Sequence, residues 1–221
     1  PRLARRFRLL RPDLRGFGHS SVPPPEYDWS LGGFAQDLQI LLDQLAIAAV
    51  HVVGQRVGGS VAMQFAHDCP DRVKSLTVIG GPATLAKSSL NPDAWLAQVQ
   101  KDGVEAWARG TMDRRLGNVG PAMKEWWIAE MGKSSAQVMA GIFRYVESMD
   151  ITALLPRIQA PTLVITSDRS APASVETVRD WQTHIPNSQL LVLPSAAYHL
   201  AAAMPEECAE ATLRFIAGLA A

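Results

Sequence analysis

Gly54-Gln55-Arg56-Val57-Gly58-Gly59 is the stretch on which the reading of this chain turns. Upstream of it runs Ala48-Ala49-Val50-His51-Val52-Val53, apolar and β-branched; downstream runs Ser60-Val61-Ala62-Met63-Gln64-Phe65-Ala66, small and apolar. A β-branched run that enters a glycine-flanked hexapeptide and leaves it as a helix former predicts strand, sharp turn, helix. Gly54 and Gly58 bracket the turn and Arg56 stands at its apex. A guanidinium stays protonated and offers only N–H donors, so this apex can hold an anion but cannot attack a carbonyl.

Working outward, residues 30–46 carry Phe34, Leu38, Leu41, Leu42 and Leu45 on one stripe behind Ser30, which predicts an N-capped amphipathic helix. Before it, residues 7–12 read as a strand leaving a short helix. Asp13-Leu14-Arg15-Gly16-Phe17-Gly18-His19-Ser20 reads as a tight loop built on an Asp/Arg pair and two glycines, and Val22-Pro23-Pro24-Pro25 as a stiff connection. Cys69-Pro70 ends the helix after the turn, and residues 73–79 form the next strand, stopped by Gly80-Gly81-Pro82. The character then changes. Residues 83–150 read as helices without a strand, with Asn91 as an N-cap, and hold four of the six tryptophans (Trp95, Trp107, Trp126, Trp127). Trp126 and Trp127 are adjacent, so one is expected to pack inward and the other to face a cleft or partner. Strand 161–166, helix 173–185, strand 189–194, a loop with Tyr198-His199 and a final helix over about 205–219 complete the chain. Strands alternating with helices predict a mostly parallel sheet covered on both faces.

Bulk properties agree. The 221 residues are 48% apolar and 19% charged, with 21 basic and 21 acidic side chains. A balanced charge gives no reason to expect nucleic-acid or anionic-membrane partners, and the Arg2, Arg5, Arg6, Arg8 cluster reads as a solvated face. Two cysteines, Cys69 and Cys208, make no disulfide framework and read as small buried thiols. No transmembrane span or signal peptide stands out, so a cytoplasmic location is expected. His19, His67 and His184 lack metal-ligand spacing, and neither a metal nor another cofactor is expected.

The motifs Asp13-x-Arg15-Gly16-x-Gly18-x-Ser20, Gly54-x-x-x-Gly58-Gly59, Pro161-Thr162-Leu163-Val164-Ile165 and the late His199 fall in one order. In that order they resemble the α/β-hydrolase fold family over essentially the whole chain, nearest to its small ester, lactone and carbon–carbon bond hydrolases such as the 3-oxoadipate enol-lactonases. The resemblance implies a hydrolase core over residues 1–82 and 151–221, with residues 83–150 as a helical cap. It makes the 54–59 turn a nucleophile elbow, G-x-S-x-G, with Arg56 where the nucleophile serine stands. Gln55 precedes it, and the amide of Val57 is one half of an oxyanion hole. Ser170 falls at the acid position, Asp168 is a possible substitute acid, and His199 matches the catalytic histidine. The family's third strand lies between its fourth and the elbow strand, so about 40 further residues are expected upstream, from ordinary strand, loop and helix lengths.

Two functional classes stand side by side. One is an enzyme acting on a small carboxylate-bearing ester, lactone or diketone, with Arg56 clamping the anion, His199 as acid/base and no serine acyl-enzyme. The other is a catalytically inactive ligand-binding member. Arg56 as an anion holder competes with Arg56 as filling for the pocket; His199 as a general base competes with His199 as a hydrogen-bonded loop residue. Ser60 lies inside the helix and is expected to bond back to a carbonyl. Cys69 sits at a helix end, where nothing lowers its pKa, and His51 reads as structural.

Overall fold

The computed structural model describes residues 2–85 and 91–219; residues 86–90 of the 83–150 stretch lie outside them. Four parallel strands, β1 (Val50–Gln55), β2 (Val73–Ile79), β3 (Thr162–Ser167) and β4 (Ser188–Leu193), form one sheet in the order β1-β2-β3-β4. Each return between parallel strands needs a crossover, and helices supply them. Helix α1 (Leu31–Gln44) precedes β1, and α2 (Val57–Asp68) joins β1 to β2. Helices α3 (Pro92–Leu116), α4 (Pro121–Gly132) and α5 (Ala136–Glu147) lie between β2 and β3. Helix α6 (Val175–Gln182) joins β3 to β4, and α7 (Leu200–Ala203) and α8 (Pro205–Gly218) close the chain.

The period of two along the central strands divides the core. Leu76 and Val78 of β2 and Val164 of β3 join the cluster built with Phe34 of α1 and Val61, Met63 and Phe65 of α2. Ile79, Leu163 and Ile165 point the other way, to Cys208 and Ala211 of α8. Phe65 and Met63 are fully buried, each contributing roughly 1.5–3 kcal/mol by removal from water. Ser30 caps α1 as the sequence predicts, its side chain accepting from the Gly33 amide. The next free amide of that helix, on Leu31, donates to the Tyr145 hydroxyl of α5 at 2.9 Å. Asn91 likewise caps α3 through the Ala94 amide. Helix α3 bends at Gly103, whose φ of 85° breaks the ladder. Its second half packs Val104, Trp107, Ala108 and Met112 against Phe143 of α5 and Ile128 of α4, a cluster separate from the sheet's core.

Residues 7–12 are not a strand. Leu9 and Leu10 are exposed, and the segment touches the sheet through the Phe7 ring against His51, 5.5 Å between centroids. A β-branched or aliphatic run becomes a strand only beside an edge that takes its hydrogen bonds, and β1 pairs with β2 alone. The other edge of β1 carries no strand among the described residues, and Val53 is exposed there. The 13–20 loop is tight as expected, held by the Asp13 carboxylate on the His19 amide and by Ser20 Oγ on the Asp13 carbonyl. Arg15 turns away from Asp13 and pairs with Asp37 of α1 through two N–H groups.

Candidate active site

The turn at the end of β1 has the strained geometry that the glycines forecast. Arg56 sits at φ 55°, ψ −127°, the left-handed side of backbone space where a side-chain-bearing residue is uncommon. Its amide donates to the Ile79 carbonyl, and its own carbonyl accepts from the Gly59 and Ser60 amides. The chain folds back so sharply that a Cβ on Gly54 would lie 2.2 Å from the Gly58 carbonyl oxygen. Gly59 and Gly81 also face each other across the turn, a Cβ on Gly59 meeting the Gly81 Cα at 3.1 Å. Gly58, the second glycine of the spacing, has open space at its Cβ position, so the crowding falls on Gly54, Gly59 and Gly81. Ser60 is fully buried, and its hydroxyl donates to Pro82 O at 2.6 Å. It thus bonds to a carbonyl, as expected, but in the loop after β2 and not in its own helix.

The Arg56 side chain runs toward the ends of β2 and the histidine loop. Its Nη1 donates to Gly80 O at 2.5 Å, and its guanidinium lies over the Tyr198 ring, 4.8 Å from the centroid. No carboxylate among the described residues pairs with it. Burial pushes its pKa down to about 10, and the charge of Arg115 adds to the effect.

Arg115, near the end of α3, was not foreseen. It is 6% exposed, stacks over Trp107 at 4.5 Å and bonds through Nε to Thr111 Oγ1 at 2.9 Å. Its Nη1 lies 3.1 Å from His199 Nε2. The Arg115 carbonyl also accepts the His199 amide, which ties the histidine loop to α3. On the other side of the ring, Gln55 Nε2 lies 3.3 Å from His199 Nδ1, while Gln55 Oε1 accepts from the Ala201 amide at 2.7 Å. Arg115 can only donate, so Nε2 accepts it and a neutral ring carries its one proton on Nδ1; an imidazolium, a donor at both nitrogens, does not fit beside Arg115. Burial, then the charges of Arg115 and Arg56, push the His199 pKa down to about 2. Only its position three and four residues after Met112 and Thr111, on the buried face of α3, marks Arg115 in the sequence.

A cavity of about 420 Å³ opens over this group. The turn lines it with Gln55, Arg56, Val57 and Gly58, the histidine loop with Tyr198 and His199, and the helical layer with Trp95, Trp107, Arg115 and Trp127. Of the adjacent tryptophans, Trp127 faces the cavity and meets the His199 ring edge-on at 5.2 Å, while Trp126 is exposed and neither is fully packed inward. Val57 opens α2, so its amide belongs to the helix end that carries unpaired N–H groups. Arg56, Gln55, Val57 and His199 thus converge on one cavity.

The two acid candidates do not. Asp168 accepts from the Ser195 amide at 2.9 Å and faces Arg169 at 3.4 Å. Ser170 lines a second cavity of about 250 Å³ beside α6, which includes Arg56 but not His199. With Gln55 and Arg115 on its two nitrogens, His199 has no hydrogen-bonded carboxylate among the described residues. The physical reason for both departures is the loop after β3, which turns to pair with Ser195 through the Asp168 carboxylate and the Arg169 amide. Other side reactions are equally unsupported. Cys69 and Cys208 are free thiols with pKa values raised by burial, Cys208 to about 11. His51 bonds to Ser75 Oγ at 2.8 Å. Among the described residues no cluster of histidines, cysteines and carboxylates has the geometry for a metal ion, and no helix is long and apolar enough to cross a membrane.

A parallel sheet flanked by helices, a strained strand-to-helix turn at its C-terminal edge and a histidine loop facing that turn define an α/β-hydrolase-type protein. Residues 1–112 match the model of the alpha/beta hydrolase fold family, and the chain belongs to that family. It is 27% identical over 230 residues to a putative carbamate hydrolase RutD of Caulobacter sp. (strain K31), covering 99% of this chain and 84% of that protein. A shorter stretch of 78 residues is 41% identical to an uncharacterized protein of Mycobacterium tuberculosis, covering 35% of this chain and only 22% of that relative's length. Among solved structures, a hydrolase from Pseudomonas aeruginosa PA01 superposes with a TM-score of 0.84 at 28% identity, over 98% of this chain and 82% of that one. The enol-lactonase of Burkholderia xenovorans LB400 shares the fold at a TM-score of 0.83 and 20% identity, over 93% and 79% of the two chains.

Proposed function

We propose that this α/β-hydrolase-family chain binds a small carboxylate-bearing ester, lactone, diketone or acid in the 420 Å³ cavity and does not run serine acyl-enzyme chemistry. The observation that carries the reading is the Arg56 guanidinium, held at the apex of the elbow, lining the cavity and paired with no carboxylate among the described residues. Desolvated donors of this kind are worth most to a ligand anion. The core would comprise residues 1–82 and 151–221, with α3–α5 as the cap that roofs the cavity and shields the ligand from water. A cytoplasmic site of action is part of the same reading, in line with two free cysteines.

Benzoate is a suitable first probe. Saturating benzoate raises the melting temperature, since a ligand at 100 times its Kd adds about 2.7 kcal/mol, and Arg56→Gln removes that shift. No shift in the wild type with benzoate, and none with a dicarboxylate or phosphate probe, overturns the reading. A serine-directed fluorophosphonate should leave the protein unlabelled; labelling of any residue refutes the absence of acyl-enzyme chemistry. Arg56→Ser alone should stay inactive on activated esters, because His199 keeps Arg115 on Nε2 and gains no acid partner. The second reading is a hydrolase that uses His199 on water. It is favoured by the neutral imidazole on the cavity wall and hindered by the ring's low basicity. Ester turnover abolished by His199→Ala would select it.

A further inference from the structure

We infer that the ligand of this cavity is a dianion, an apolar-bodied dicarboxylate held between two cationic groups, Arg56 and Arg115. This deepens the proposed function and rests on it.

Both guanidinia line the same cavity, and both contact the same ring, Tyr198, at 4.8 and 5.8 Å from its centroid. They are close enough for Arg115 to lower the pKa of Arg56. A buried arginine is ordinarily balanced by an aspartate or glutamate, because an uncompensated buried charge is costly. Here neither pairs with one among the described residues. Among the described residues the carboxylate on the cavity wall is Asp13, which is taken by the His19 amide and has a side chain 47% exposed. The neutral His199 and Tyr198 share the wall with the pair, and Arg114 adds its charge beside Arg115. Asp150, Asp180 and His184, which pair with neither guanidinium among the described residues, line the neighbouring cavity that Arg56 also borders. Aromatic faces at Trp107 and Tyr198 compensate each cation only in part.

The supply of donors is also in excess. Arg115 uses Nε on Thr111 and Nη1 on His199, which leaves Nη2 without a hydrogen-bonding protein acceptor among the described residues. The indole N–H of Trp107, a residue 3% exposed on the same wall, has no acceptor either. A wall of unpaired donors bearing two positive charges calls for acceptors bearing two negative ones. The rest of the wall is largely apolar and aromatic, with Trp95, Trp127, Phe34 and Phe143, which suits a flat hydrocarbon body.

The test compares benzene-1,3-dicarboxylate with its monomethyl ester and with phenyl phosphate by calorimetric titration. The diacid is expected to bind at least about tenfold more tightly than the monoester, a difference of about 1.4 kcal/mol. Arg115→Gln should collapse that ratio to within about threefold, while Arg115→Lys keeps part of it. The wild type provides a check that needs no variant: added NaCl should weaken the diacid more steeply than the monoester. Equal affinity of diacid and monoester in the wild type overturns this inference and leaves the single-carboxylate reading standing. An Arg115-dependent preference for phenyl phosphate without one for the diacid assigns both charges to one group and overturns the two-carboxylate ligand. Failure of all three probes, with benzoate also inert, removes the proposed function itself.

Discussion

Acid sensitivity is the sharpest consequence of the arrangement around His199. The ring is buried, accepts Arg115 at Nε2 and sits beside two guanidinia, so the folded protein holds it neutral down to about pH 2. In the unfolded chain it takes a proton near its ordinary value of 6.5. Between these values the unfolded state binds more protons than the folded one, so stability rises with pH. The contribution is fully present above pH 6.5 and is lost as pH falls toward 2. Each unit below 6.5 costs about 1.4 kcal/mol, so acidification from pH 7 to pH 5 removes about 2 kcal/mol. The depressed carboxylates Asp13, Asp150 and Glu176 start from 3.8, 3.8 and 4.5 and act below this window. His51, lowered by burial and Lys74, acts in the same direction as His199 and is subtracted by comparing variants. His199→Gln keeps a carbonyl acceptor for Arg115 and removes the titration. Urea unfolding at pH 7 and pH 5 should show the wild type losing about 2 kcal/mol more than the variant. Equal losses within about 0.5 kcal/mol, or a His199 ring that titrates near 6.5 by NMR, would refute the reasoning.

Three further outcomes are expected. Gly54→Ala places a Cβ against the Gly58 carbonyl and should destabilise by roughly 3 kcal/mol or more, whereas Gly58→Ala meets nothing and should gain up to about 1 kcal/mol from helix propensity, both read by urea melts. Tyr145→Phe leaves the Leu31 amide without its acceptor and should cost roughly 1–3 kcal/mol, with faster hydrogen exchange at that amide. Ser30→Ala removes the cap bond to Gly33 and should cost about 1 kcal/mol, read in the same way.

Much of the fold was legible because it is written in local terms. The β-branched run before Gly54, the stripe of Phe34 and Leu42, the caps at Ser30 and Asn91 and the breaks at Pro70 and Gly80 each act over a few residues. Strand β2 falls on residues 73–79 as read. Residues 7–12 show the limit: the same kind of apolar run stays irregular, since strand formation depends on an edge that local sequence cannot supply.

The identity of the elbow residue was equally plain. Arg56 between Gly54 and Gly58 fixed both the strained turn and the charge at its apex, because sterics and side-chain chemistry there are properties of the residues themselves. What surrounds that charge was decided by tertiary structure. Arg115 lies 59 residues from Arg56 and 84 from His199 along the chain, yet α3 carries it onto both the Tyr198 ring and the His199 ring. Asp168 and Ser170, nearer in the order of motifs, are turned elsewhere by the loop after β3. Hydrogen bonds and desolvation act through a few ångströms of space, so the residues that set the charge of this cavity are neighbours only after the helical layer has packed over the sheet.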